Sequence, residues 1–361
     1  MSRPAKAIVD LAAVRHNYQL AQRLAPKAKT LGVVKANAYG HGAIAVARTL
    51  EPLAPVLAVA CIEEALELRA AGIKKPILLL EGAFEKSELE IASRENFWLM
   101  TSSIEQVENI VETKTQHPLQ VWLKADSGMH RLGLQGDQLP KAYRQLRSLE
   151  HVHNDIVLAT HFAAADELDS DFTEQQIQEF SSVSEGLSAP LSMANSAGIL
   201  AWPQSHGSYN RPGIMLYGSS PFAAPQENAD QLKSVMSLQS EVIALRRIDA
   251  GETVGYGRNW TAQRQSTIAT VAIGYGDGYP RHAPNGTPVF INGQMLPLAG
   301  RVSMDMITVD VTELEQVTVG DSVELWGENL SVNRIAEHAG TIGYELMTRM
   351  PLRTPRIYIN E

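Results

Sequence analysis

The segment Val33 to Gly42, VVKANAYGHG, reads as an apolar run that stops at a single lysine and gives way to small and polar residues. Such a pattern puts the Lys35 amine at the mouth of a strand. In a barrel of alternating strands and helices, the C-terminal strand ends carry the chemistry, and a lysine there can form a Schiff base with a carbonyl or aldehyde cofactor. A lysine after a strand is more often a solvated loop residue, so the surrounding chain has to support the reading.

Working outward, residues 12 to 228 alternate between helical periodicity and short β-branched runs. Candidate strands are Thr30 to Lys35, Val56 to Cys61, Pro76 to Glu81, Phe97 to Thr101, Leu119 to Lys124, Asp155 to His161, Leu191 to Ala194 and Ser208 to Arg211. Amphipathic stretches at Leu11 to Leu24, Ile62 to Ala71, Ser103 to Lys114 and Asp171 to Leu187 separate them, several opened by Ser or Asp cap candidates. Eight strands alternating with helices predict a (β/α)8 barrel, an α/β unit. After Pro225 the texture changes, and from residue 229 to 361 short alternating runs predict a mostly β domain. These runs are Val235 to Leu245, Thr267 to Ile273, Pro288 to Ile291, Met306 to Val311 and Ser322 to Leu325, with a hairpin signal at Ile291-Asn-Gly-Gln. The linker is expected near Pro221 to Ala229. Lys6 to Asp10 is a further apolar run before the first helix.

The chain has 361 residues, 44% of them hydrophobic, enough for two domains and a sizeable core. Its 31 basic and 40 acidic residues give a net charge of -9, which disfavours a nucleic-acid partner or an anionic membrane surface. Met1 to Asp10 lacks an apolar core of signal-peptide length, and no later run approaches the roughly 20 apolar residues of a spanning helix. A cytoplasmic protein acting on a small molecule is expected. Cys61 is the only cysteine and no Cys/His cluster has zinc spacing, so neither an intrachain disulfide nor a metal site is predicted. His151 and His153, without a third ligand, read as surface residues, and Asn285-Gly-Thr reads as a turn.

Further segments follow VVKANAYGHG in order: KADSGMHRLG (124 to 133), THFAAADE (160 to 167), ANSAG (194 to 198), NRPGIMLYG (210 to 218), VGYGRNW (254 to 260), IGYGDGYPR (273 to 281) and GRVSMDM (300 to 306). Together they resemble the alanine racemases, which bind pyridoxal 5'-phosphate (PLP), and the likeness spans nearly the whole chain. The resemblance implies a PLP-dependent isomerase that interconverts L- and D-alanine. It also implies that the N-terminal strand, residues 1 to 11, joins the C-terminal β domain.

Racemisation removes a weakly acidic proton and returns one to the opposite face, which requires two bases on opposite sides of the substrate. The resemblance makes Lys35 the cofactor lysine and one base, and Tyr256 the other. A free tyrosine has a pKa of about 10 and needs help near neutral pH; by resemblance the help comes from His161, with Arg211 next in the network. Read from its residues alone, Tyr256 would be a strand-face aromatic. An arginine facing the pyridine nitrogen keeps that nitrogen unprotonated and weakens the ring as an electron sink, which favours prompt reprotonation over transamination. In Arg211-Pro212-Gly213, strand eight should end and a helical turn begin, with Pro212 at the first helical position. The amides of Gly213 and Ile214 can then meet a phosphate, with Asn195 and Ser196 supplying the other half of the site.

The resemblance adds Tyr39 as a phosphate contact and Arg131 as a contact to the cofactor phenolic oxygen and the substrate carboxylate. Lys124, seven residues before Arg131, matches a lysine that family members often carry as a carbamate. Met304 matches the residue whose backbone N–H binds the substrate carboxylate. Asp166, Tyr275, Arg281 and Arg301 match an access channel. In the family, Tyr256 of one subunit completes the site of the other, so a homodimer with shared active sites is expected. The chain departs from the pattern at Leu352, where some members carry a tyrosine that reaches the phosphate; leucine cannot donate that bond. The rivals to this reading are a PLP-binding protein without turnover, which would lack the β domain; another enzyme on the same two-domain plan, either a basic amino-acid decarboxylase, which would place an acid where Arg211 stands, or a racemase of broader specificity; and a non-enzymatic scaffold or oligomer-forming β protein, which no specific feature of the chain favours.

Overall fold

A computed structural model describes residues 3–361. Met1 and Ser2, the start of the predicted N-terminal strand, lie outside the described residues.

A parallel sheet runs through Gly32–Val33, Leu57–Val59, Ile77–Leu79, Phe97–Thr101, Val121–Lys124, Val157–Ala159 and Leu191–Ser192, in chain order. Strand one has two pairing halves. Lys29–Thr30 pairs in parallel with strand eight, Tyr209–Asn210, while Gly32–Val33 pairs with strand two. At the crossover, Leu31 N–H donates to Asn210 O at 2.9 Å and Gly32 N–H to Val56 O at 3.0 Å. This stagger closes the sheet, as the tilt of barrel strands requires. Strand eight is tied to seven where Arg211 N–H donates to Ala194 O at 3.0 Å. The interior is filled rather than open: Trp122 of strand five meets Tyr209 of strand eight at 5.0 Å, and Trp98 of strand four meets Trp122 at 6.3 Å.

The helix Leu11–Leu24 follows directly on the strand Lys6–Asp10 because Asp10 is its cap, with Oδ1 accepting the Ala12 and Ala13 amides at 2.8 and 3.2 Å. Ser103 caps Ile104–Glu112 in the same way. Asp171 stands before Phe172–Val183 without a side-chain cap bond; Ser170 Oγ accepts the Phe172 amide instead.

The second domain is built on Met236–Ile248, a long strand that bends at a bulge between Val242 and Ala244 and so serves two sheets. Its first half pairs with Ser322–Trp326 and with Lys6–Asp10, its second with Ser266–Val271. Lys6–Asp10 lies between Met236–Ile248 and Arg356–Ile359, so this strand is part of the β-rich domain's sheet. The Asn292-Gly293 turn forms the predicted hairpin from Pro288–Ile291 to Gln294–Pro297, both turn residues having positive φ (47° and 83°). The strand Arg356–Ile359 and the helices Val332–Ala339 and Gly343–Thr348 were not anticipated. Across the domain junction, Asn333 Nδ2 donates to Ser220 O at 2.8 Å and Ser219 Oγ donates to Asn333 Oδ1 at 2.7 Å.

Candidate active site

The strand ends bring the predicted residues to one mouth. Lys35 follows strand one, Lys124 ends strand five, His161 follows strand six, Ser196 follows strand seven and Arg211 follows strand eight. Arg131 reaches them from a loop folded back on strand five, where Leu134 N–H donates to Lys124 O and Asp126 N–H to Leu134 O, at 2.8 and 3.0 Å. Asp126 Oδ1 pins the tip of that loop by accepting the Gly128 and His130 amides.

Arg211 is buried, and its guanidinium donates to Ser192 O at 2.9 Å, Ser192 Oγ at 2.6 Å and Thr160 O at 2.6 Å. It also faces His161 Nδ1 at 3.4 Å. Burial lowers its pKa to about 10, which leaves it charged at neutral pH. His161 is held well below the usual imidazole range, first by burial and then by Arg211, Lys124, Arg131 and Lys35. Lys124 falls to about 8 through burial and its neighbours Arg211 and Arg131. Burial also lowers Lys35, opposed by Glu81 and Glu64 and reinforced by Arg131.

Ser196 opens the helix Ser196–Ala201, and its Oγ accepts the amides of Gly213 at 2.9 Å and Met215 at 3.3 Å. Tyr39 Oη lies 2.5 Å from where a Cβ on Gly213 would stand, so only glycine lets these groups converge. Asn195 caps the helix, its Oδ1 accepting the Gly198 amide at 2.9 Å, a structural use of a residue expected to face the cofactor. Pro212 is not the first helical residue: Gly213 is the cap and the 3-10 turn begins at Ile214. The amide of Met215 joins this cluster although the sequence reading stopped at Ile214. Behind Tyr39, Tyr217 stacks on its ring at 4.7 Å and donates to Val33 O at 2.8 Å, a support that local pattern does not reveal.

The donor set fits an anionic aldehyde cofactor. A hydroxyl pair (Tyr39, Ser196), glycine-exposed amides and a ring of cations suit a phosphate and a phenolate, and a lysine with a depressed pKa suits attack on a carbonyl.

The remaining candidates form a second group on the β domain. Tyr256 lies not on a strand face but in a 3-10 turn between Thr253–Val254 and Trp260–Thr261, and it is 72% exposed. The Arg301 guanidinium packs on Gly257 of that turn, and Asn285 braces it by donating to Asn259 O at 2.9 Å while accepting the Gly300 amide at 2.7 Å. Met304 and Tyr275 are joined through backbone: Tyr275 N–H donates to Ser303 O and Gly276 N–H to Met304 O, at 3.0 and 2.9 Å. Beneath them the buried Asp277 pairs with Arg3 at 2.6 Å and Arg353 at 3.0 Å. Among the described residues, no hydrogen bond or ion pair connects Tyr256, Arg301 or Met304 to the barrel mouth. Arg281 and Asp166 are exposed, the latter close enough to Tyr344 to help burial raise its pKa. Leu352 is 91% exposed.

A (β/α)8 barrel with a lysine and an arginine at its mouth, joined to a β-rich domain, defines a class of two-domain barrel enzymes. Residues 9–221 match the family described as "Alanine racemase, N-terminal domain", and residues 235–358 match "Alanine racemase, C-terminal domain". The alanine racemase of Pseudomonas taetrolens is 52% identical over 359 residues, covering 99% of this chain and all of that one. The crystal structure of the biosynthetic alanine racemase from Pseudomonas aeruginosa superposes with a TM-score of 0.96 at 48% identity, over 99% of this chain and 100% of that chain. The alanine racemase of Bartonella henselae, solved with covalently bound pyridoxal phosphate, superposes with a TM-score of 0.90 at 33% identity, over 99% of each chain. The chain belongs to the alanine racemase family and is an isomerase. Among the described residues, no helix is long and apolar enough to cross a membrane.

Proposed function

We propose that the chain binds PLP through Lys35 and interconverts L- and D-alanine with two bases, Lys35 and Tyr256. The observation that carries this reading is the meeting of Lys35, Lys124, Arg131, His161 and Arg211 at one barrel mouth, with the Arg211 guanidinium against His161. Bound there, the cofactor supplies an electron sink that acidifies the substrate α-hydrogen. Tyr39, Ser196 and the amides of Gly213 and Ile214 hold the phosphate, and Arg131 orients the phenolic oxygen and the substrate carboxylate. Arg211 keeps the pyridine nitrogen unprotonated. Lys35 Nζ takes or returns a proton on one face of the α-carbon and Tyr256 Oη does so on the other. The Met304 amide holds the substrate carboxylate, and Asp166, Tyr275, Arg281 and Arg301 line the approach.

The exposure of Tyr256, away from the barrel mouth of its own chain, supports a homodimer in which Tyr256 of the partner subunit completes each site. We take the barrel as residues 12–228 and the β domain as 229–361 with strand 1–11. Lys124, with its ammonium form disfavoured by burial and then by Arg211 and Arg131, is suited to capture carbon dioxide, releasing a proton and leaving a carbamate that pairs with Arg131. Mass spectrometry without acid reads that adduct.

The test is an absorbance spectrum before and after borohydride, with peptide mapping and a D-alanine assay on L-alanine. A visible band reduced onto Lys35, with D-alanine formed, is expected; a band without racemisation overturns the reaction assignment. Mixed dimers of Lys35→Ala and Tyr256→Phe chains should recover about a quarter of the native activity, because half the dimers are mixed and each has one intact site.

A further inference from the structure

The backbone after Lys35 turns the wrong way for its residues. Ala36 (φ 52°, ψ 50°), Asn37 (55°, 46°) and Ala38 (52°, 51°) are left-handed, and Tyr39 has φ 51°. Each alanine or tyrosine there costs roughly 1–2 kcal/mol, Asn37 less, and left-handed residues ordinarily occur singly. A run of them persists only when its surroundings over-determine it.

Part of the restraint is internal, since Ala38 N–H donates to Val34 O at 2.9 Å and Gly40 N–H to Ala36 O at 3.0 Å. Arg356 holds the far end by donating to Gly40 O at 3.0 Å, and the restraint next to Lys35 comes from Glu64, on the helix Ile62–Ala70. One carboxylate oxygen, Oε1, accepts the Ala36 amide at 2.6 Å, and the other, Oε2, accepts the Ala60 amide at 2.8 Å. Ala60 directly follows strand two, so a single carboxylate fixes the spacing between that strand end and the turn. On the other side of Lys35, Val34 N–H donates to Ala58 O at 2.8 Å. The lysine therefore sits between two backbone anchors, one a sheet bond and one a charge-assisted bond to Glu64.

We infer that Glu64 is a positioning residue, whose carboxylate holds the left-handed turn and thereby aims the Lys35 amine into the barrel mouth. It acts through the backbone beside Lys35. The inference rests on the proposed function of Lys35, while its structural half, the grip on Ala36, can be read without any cofactor. Glutamine at position 64 keeps the size but only one acceptor oxygen, and it turns an NH2 group toward one of the two amides. Glu63, exposed on the same helix, offers a charge control that leaves both bonds intact.

Two measurements test this. In the unaltered full chain, amide exchange is followed at Ala36, which is solvent-exposed and without the Glu64 bond would exchange as a free amide. Protection of at least about tenfold is expected, with or without PLP, and exchange at the free rate overturns the inference. In Glu64→Gln, borohydride-trappable attachment of PLP to Lys35 and kcat for alanine should both fall about tenfold, with KM within about twofold of native and Glu63→Gln at native values. Native attachment in Glu64→Gln, or equal loss in Glu63→Gln, overturns it. If Glu64→Gln does not fold, the exchange measurement decides. If the unaltered chain never attaches PLP, the functional reading fails while the exchange result still judges the grip on Ala36.

Discussion

His161 presents Nδ1 to the Arg211 guanidinium at 3.4 Å, so its imidazole is an acceptor there and must be neutral. The other partners of Arg211 are also uncharged, being the carbonyls of Ser192, Thr160 and Met193 and the Ser192 hydroxyl. A buried cation is thus held by dipoles rather than by a carboxylate, leaving its charge free to act on whatever faces it from the barrel mouth.

The same burial makes stability depend on acid. His41 Nδ1 donates to Ala38 O at 3.0 Å and Tyr39 O at 2.9 Å, its Nε2 is buried without a partner, and its pKa falls to about 4, mainly by desolvation. Between about pH 6.5, where an unfolded histidine titrates, and about pH 4, the unfolded chain binds a proton that the folded chain refuses. Stability should therefore be fully present above pH 6.5 and fall by about 1.4 kcal/mol per pH unit below it, with His161 acting in the same direction. Urea unfolding at pH 7 and pH 5 reads this slope, and His41→Gln should flatten it. A slope unaltered in that variant would show that His41 does not stay neutral.

Gly213→Ala should separate cofactor retention from folding. The added methyl meets Tyr39 Oη, the far end of a side chain, at 2.5 Å. We expect a PLP affinity at least about tenfold weaker with thermal stability within about 1 kcal/mol of native. Titration of the visible band, beside a melting curve, provides the check.

Ala36→Gly should stabilise the chain. Ala36 is exposed, so its methyl buries little, and its left-handed conformation costs alanine more than glycine. A gain of about 1 kcal/mol in denaturant unfolding is expected. A loss would mean that the turn is not strained at this residue.

Asp277→Asn should loosen the Tyr275 and Met304 segments together. Asp277 is buried, accepts the Gly274 amide at 2.9 Å and neutralises Arg3 and Arg353, and Arg353 also pairs with Asp305. Both arginines are partly solvated, which reduces the penalty to about 2–3 kcal/mol. KM for alanine should rise more than kcat falls, which steady-state kinetics will show.

Much of this was legible from local pattern. Asp10 as a cap, Asn292-Gly293 as a hairpin turn, and the strands Phe97–Thr101 and Pro288–Ile291 depend on neighbours in sequence, and these elements form as read. The barrel-mouth residues were found because they end strands or match family segments. The left-handed turn was not legible, since in Ala-Asn-Ala-Tyr only Asn37 tolerates that region readily; its restraints lie 28 residues away in Glu64 and 316 away in Arg356, which donates to Gly40 O. Tyr217, a support for Tyr39, was missed for the same reason: its bond to Val33 spans 184 residues. Tyr256 read as a strand residue because turn glycines on either side resemble strand ends; Gly255 and Gly257, both with positive φ, instead fold it into a turn.

The position of Lys6–Asp10, between Met236–Ile248 and Arg356–Ile359, imposes an order on biosynthesis. This strand leaves the ribosome well before either partner and must stay unpaired while some 200 further residues emerge, because both of its partners are encoded far downstream. The barrel has all its strands by Asn210 and can close earlier, but the strand edge upstream of it waits for Met236–Ile248 and Arg356–Ile359. An exposed edge is a template for pairing with other chains. Ribosome-bound intermediates of this protein are thus the stage at which a chaperone has most to shield.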